Sequence, residues 1–129
     1  MIAINGNNYN DVETKVDFGE YLVKQGDKNR EGVAPFIQFK CDNILIGIET
    51  VYDKKWLDAL KANETVDITS YIIDINYESE KGWLTLKYGD YSCELTKNDN
   101  GLFTIAMSCE CEELDQLYNI NINEIIDLN

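Results

Sequence analysis

The residues best equipped for chemistry in this 129-residue sequence are four cysteines and 24 acidic side chains, because histidine is absent and arginine occurs only at Arg30. Without imidazole there is no Ser-His or Cys-His nucleophile pair, no imidazole general base and no His-containing zinc site. One guanidinium leaves no bidentate phosphate clamp. The cysteines stand at 41, 93, 109 and 111 and contain no Cys-x-x-Cys pair. Each alternates with apolar neighbours, the setting in which a free thiol behaves as a small hydrophobe. No Gly-x-Gly-x-x-Gly or Gly-x-x-x-x-Gly-Lys pattern follows a strand-like run, so nucleotide binding has no cradle. Asn98-Asp99-Asn100-Gly101 begins like a calcium loop but lacks the bidentate Glu further on, and reads as a turn. Carboxylate pairs of the kind that hydrolyse glycosides arise by chance at this acidic density. The expectation is a non-enzymatic chain with no catalytic residue, no cofactor and no metal.

Composition narrows the partners. Hydrophobic residues make up 44% and aromatics 11%, so the chain can bury a core and its acidity is not a mark of disorder. The net charge of -13 repels phosphate backbones and anionic lipid alike, which predicts no direct nucleic acid and no membrane as partner. Residues 1–65 hold 11 acids and 8 bases, whereas 66–129 hold 13 acids and 3 bases, so the second half carries most of the excess. The segment from Met1 to Gly6 has neither a basic region nor a long apolar stretch, and the longest apolar-plus-Gly run, Ile44 to Ile48, is far short of the roughly 20 residues of a membrane span. A cytoplasmic location is expected.

Alternating apolar residues dominate the chain and predict a single domain, 1–129, that is mostly β (α+β): an antiparallel meander sheet or half-barrel with one short helix. Asp53 caps that helix, expected to run to the neighbourhood of Ala62 with Trp56, Leu57 and Leu60 on one side. A two-residue turn at Asp42-Asn43 pairs Cys41 with Ile44 in a hairpin over 36–51. Further on, Tyr71, Ile73, Ile75 and Tyr77 are read as inward. Lys81-Gly82 then sets Tyr77 opposite Leu86 and Ile75 opposite Tyr88. Gly89-Asp90 is read as a primed turn that pairs Tyr88 with Tyr91, Leu86 with Cys93 and Leu84 with Leu95. At Asp99-Asn100-Gly101, parity selects a three-residue loop with Gly101 left-handed, so that Leu95 faces Ile105 and Cys93 faces Met107. The expectation is a four-stranded meander over 70–112, with further strands at 12–23 and 118–128 and a loop at 25–32.

On that meander one outward face would gather Asp74, Glu78 and Glu80, then Trp83, then Glu94, Glu110 and Glu112: six carboxylates against Lys87. Carboxylates at i and i+2 stand about 7 Å apart and neighbouring strands about 4.8 Å, a spacing of the same order as nucleic-acid phosphates. The expected partner is therefore a basic protein, such as a nuclease or another nucleic-acid-binding enzyme. The expected function is that of an inhibitor or neutraliser, of the immunity-protein or phage anti-defence type, covering that partner's basic surface. The alternative is a structural or accessory assembly module, in a virion or a complex, that uses sheet edges and the aromatic Trp83. Asn119, Asn121 and Asn123 alternate with Ile120 and Ile122, as a strand with one wet face would.

The charge argument predicts no shift of DNA or RNA in gel mobility assays at physiological salt. A specific complex formed without divalent cation would contradict it.

Overall fold

Side chains that alternate between dry and wet faces need a second apolar layer to cover the dry one, and this chain supplies it from its own strands. The computed structural model describes residues 1–25 and 28–129. A six-stranded antiparallel sheet runs β2 (Asn7–Tyr9), β1 (Ile2–Ile4), β11 (Gln116–Ile126), β10 (Phe103–Glu113), β9 (Asp90–Lys97) and β6 (Thr65–Asp67). A five-stranded sheet runs β3 (Glu13–Gln25), β4 (Lys28–Cys41), β5 (Ile44–Thr50), β7 (Ile72–Ser79) and β8 (Gly82–Thr85). Both sheets have open ends, and their inward faces share one hydrophobic cluster in which Phe39 and Phe103 are the largest fully buried side chains. The fold is mostly β with one short helix, as the alternation indicates.

The local turns follow their residues. Asp42, at φ 50°, and Asn43 set Cys41 opposite Ile44, Phe39 opposite Ile46 and Ile37 opposite Ile48. Gly101, at φ 82°, closes the loop that sets Leu95 opposite Ile105 and Cys93 opposite Met107. Asn5 and Gly6, with φ of 49° and 85°, close the β1–β2 hairpin, a turn whose Asn-Gly signature the strand reading passed over.

Several expectations change. The expected four-stranded meander is two pairs in two sheets: β8 pairs with β7, β9 pairs with β10 and β6, and the chain crosses between sheets at residues 86–89. Tyr88 and Tyr91, Leu86 and Cys93, and Leu84 and Leu95 are therefore not ladder partners, and Tyr88 is 76% exposed. The β7–β8 turn lies at Glu80-Lys81, so Tyr77 faces Leu84 rather than Leu86. Ile73 points outward, because the β5–β7 register shifts between Glu49 and Thr50: Glu49 pairs with Asp74 and Thr50 with Ile72, which leaves Ile73 as the extra residue of a bulge.

The helix α1 is short, Lys54–Asp58, with the Asp53 carboxylate accepting from the Lys55 N–H at 2.9 Å. It buries Leu57, while Trp56 sits edge-on to Tyr52 and Tyr71 at 5.1 and 5.6 Å and seals one end of the interior. Thr50 is buried but satisfied: its hydroxyl donates to the Pro35 carbonyl at 3.1 Å and accepts from the Tyr52 N–H at 3.3 Å. The stretch at 25–32 is not a free loop, since the β3–β4 ladder continues to Gln25 opposite Lys28; residues 26 and 27 lie outside the described residues. Within that ladder the Tyr21 ring lies so close over Gly32 that an added Cβ would stand 2.7 Å from it.

Gly89 marks the crossing. A Cβ there would stand 2.4 Å from the Glu110 carbonyl oxygen and 2.5 Å from the Cys111 Cβ. Gly89→Ala is expected to cost about 1–3 kcal/mol by overpacking. Gly19→Ala, where the added Cβ would meet no heavy atom of the described residues within 4 Å beyond its chain neighbours, should stay within about 1 kcal/mol of wild type. Denaturant titration of both variants checks this, and equal losses would place the close approach elsewhere.

Candidate functional site

The outward positions of the six-stranded sheet form rows across its strands. Ala3, Asn121, Ser108 and Ser92 make one row; Asn123, Ala106, Glu94 and Asp67 the next; Asn119, Glu110 and Asp90 a third. Most of these side chains are short, and hydroxyls satisfy each other across strands, Ser92 with Ser108 at 3.0 Å and Thr65 with Thr96 at 2.7 Å. The face is therefore level. Its charged groups are the exposed carboxylates of Asp67, Asp90, Glu94, Glu110 and Glu112, and no Lys or Arg occupies an outward position of these strands. Two of the acidic pairs lie directly opposite one another, Asp67 with Glu94 and Asp90 with Glu110. Like charges set directly opposite each other on neighbouring strands are destabilising.

The outer face of the five-stranded sheet is different. Lys40 stands opposite Glu13, and Lys15 pairs with Asp17 at 3.6 Å, so cations are interspersed with the acids. Among the sequence candidates, Asp74, Glu78, Glu80 and Trp83 lie on this side. Asp74 accepts from the Thr85 hydroxyl, Glu80 accepts from the Asn43 amide at 2.8 Å, and Trp83 lies opposite Glu78 with 60% of its surface exposed. Glu94, Glu110 and Glu112 lie on the six-stranded sheet. The expected single acidic face is thus corrected to two faces on different sheets, because β8 and β9 are not neighbours. Sequence reasoning missed Asp67 and Asp90. Asp67 sits on a three-residue strand too short to show alternation, and Asp90 follows a glycine in a pair that reads as a turn but opens β9.

The four thiols are free and buried. Burial pushes Cys93 up from 9.0 to about 12, with the charges of Asp67 and Glu94 adding to it. Burial likewise pushes Cys109 to about 11, helped by Cys111 and Asp90. Cys41 and Cys111 are raised by burial as well, and in Cys111 a Gly89 backbone hydrogen bond partly opposes the rise. Thiols so held are protonated and poor nucleophiles at neutral pH. Among the described residues no three Cys, Asp or Glu side chains converge to hold a metal ion.

A raised thiol pKa makes stability depend on pH with a definite sign. Below 9 both states keep the proton; between about 9 and 12 the unfolded chain releases it while folded Cys93 retains it, so stability falls as pH rises through that window. The expected loss from Cys93 alone is on the order of 4 kcal/mol by pH 12, and in Cys93→Ala the decline, measured against its own neutral-pH value, should be shallower. Native labelling with a thiol reagent should be slow at all four sites and rapid after denaturation. Fast native modification of Cys93 or Cys109 would contradict their burial.

Among the described residues no helix is long and apolar enough to cross a membrane. Compared with known proteins, the chain matches no family model, no curated protein and no solved structure, so its own faces carry the functional reading.

Proposed function

We propose that this protein is a non-enzymatic binding protein whose outer six-stranded face covers a basic surface on a partner protein, in the manner of an immunity protein or an anti-defence inhibitor. The observation that carries the reading is the level face bearing Asp67, Asp90, Glu94, Glu110 and Glu112 with no outward Lys or Arg, including two carboxylate pairs set directly opposite each other. Repulsion of this kind opposes folding, and a basic partner would relieve it. Basic protein surfaces that a level polyanionic face fits include nucleic-acid channels, and an enzyme working on nucleic acid is the partner class proposed. Electrostatic attraction would make association fast and salt-sensitive. Four reduced thiols accord with action in the cytoplasm.

A second reading, an assembly module, draws on the exposed Trp83. It lies on β8, whose other edge has no strand beside it among the described residues, and exposed aromatics on open edges are candidate interface anchors.

The test is a triple substitution, Glu94→Lys, Glu110→Lys and Glu112→Lys, compared with wild type in thermal melting and in capture of basic proteins from the native host at low and high salt. Stability is expected to hold or rise by up to about 1 kcal/mol as like-charge pairs are removed. Capture of the basic partner should be lost. A variant that captures the same protein with the same salt dependence would refute the proposal and move attention to Trp83.

A further inference from the structure

At the end of the interior opposite the Tyr52–Trp56–Tyr71 seal, the two sheets leave a cleft of about 360 Å³. Three tyrosines from three strands line it: Tyr9 on β2, Tyr77 on β7 and Tyr118 on β11. The rings of Tyr77 and Tyr118 meet at 5.0 Å between centroids with a 59° tilt, so they form two walls rather than a stack. Among the described residues, none of the three phenol hydroxyls bonds to another side chain or to backbone, which leaves these oxygens to whatever enters. Burial raises the Tyr77 phenol, with Tyr118, Tyr9 and Cys41 contributing next, so the Tyr77 wall is a neutral aromatic face at physiological pH.

The rim is built by two turns. Asp42 and Asn43 come from the β4–β5 turn, and Glu80 and Lys81 from the β7–β8 turn. The Asn43 side-chain amide donates to Glu80 Oε1 at 2.8 Å and ties the turns together, while the second Glu80 oxygen makes no hydrogen bond within the described residues. Two carboxylates against one ammonium give the rim a net negative charge, on a chain that carries -13 overall. The electron-rich faces of aromatic rings attract cations, most strongly where water is partly excluded, and carboxylates at the lip add long-range attraction. A phosphate or carboxylate ligand would meet repulsion at the same rim.

We propose that this cleft is a binding site for an organic monocation, an alkylammonium or guanidinium group held against Tyr9, Tyr77 and Tyr118 with Asp42 and Glu80 at its mouth. The site is separate from the outer face of the six-stranded sheet and does not depend on the reading of that face. The group could belong to a free small molecule or to a polypeptide side chain; the recognition chemistry is shared.

Amide chemical-shift titration of the isotope-labelled protein tests it with three probes: choline, its uncharged isostere 3,3-dimethylbutan-1-ol, and N-acetyl-arginine amide. Choline is expected to shift Asp42, Ile44, Glu80 and Gln116 saturably and to bind about tenfold or more tighter than the alcohol. Tighter binding of the blocked arginine would assign the site to a polypeptide side chain, and tighter binding of choline to a small ammonium compound. Asp42→Asn with Glu80→Gln should weaken cation binding about tenfold. These changes preserve the fold, since Asn tolerates the left-handed backbone at 42 and Gln keeps the acceptor for Asn43. Removing two exposed charges far along the five-stranded sheet from the cleft, with Glu20→Gln and Glu49→Gln, should leave the affinity within about twofold, given the distance screening of exposed charge. Equal binding of choline and the alcohol, shifts centred outside the cleft, or no saturable shift with any probe would overturn the proposal. So would equal weakening by the two double variants.

Discussion

Everything in this structure depends on two sheets burying their apolar faces against each other in one shared interior. Neither sheet could stay folded with its Ile, Leu, Phe and Cys side chains in water. The six-stranded sheet supplies Ile2, Leu95, Ile105, Ile120 and Phe103 to that interior, and the five-stranded sheet supplies Ile37, Phe39, Ile46, Ile48 and Ile75. Each such side chain contributes about 1.5–3 kcal/mol when taken fully from water, less the entropy of ordering it. The four thiols share this interior as small hydrophobes, and their raised pKa values are the electrostatic consequence of their burial.

Burying one face of each strand forces nearly all the charge onto the other. On the five-stranded sheet acids and lysines are mixed, so the outer face is locally compensated. On the six-stranded sheet no Lys or Arg accompanies the carboxylates at the outward positions. The two outer faces point to opposite sides of the core, so their charges do not add into one surface. That asymmetry is the reason to look for a partner on the six-stranded side. The ends of the interior differ as well: one is sealed by aromatic edges around α1, while the other opens between tyrosines.

Alternation made much of the fold legible. It set Cys41 against Ile44 and Leu95 against Ile105, and it marked Glu94, Glu110 and Glu112 as outward. It failed where parity has no power. Leu84 and Leu95 both point into the interior, and a period of two is satisfied equally by neighbours within one sheet and by residues facing each other across the core. The reading took them as neighbours, and with that one choice the six acids were gathered onto a single face. Gly89 carried the missing information, since a chain that must pass tightly against Glu110 and Cys111 needs a residue without a side chain. At Ile73 a bulge broke the alternation, and bulges leave no mark on a short apolar run. The cleft was invisible because Tyr9, Tyr77 and Tyr118 are distant in sequence and meet only when the two sheets close.

Carboxyl footprinting by mass spectrometry, on the free protein and on its complex with the basic partner recovered from the host, shows which outer face the partner covers. If the six-stranded face is the binding surface, Asp67, Asp90, Glu94, Glu110 and Glu112 lose reactivity in the complex, while Glu13, Glu49 and Glu78 on the five-stranded sheet keep theirs. Protection confined to Asp74, Glu78 and Glu80 beside Trp83, with Glu94 and Glu110 still reactive, would contradict it.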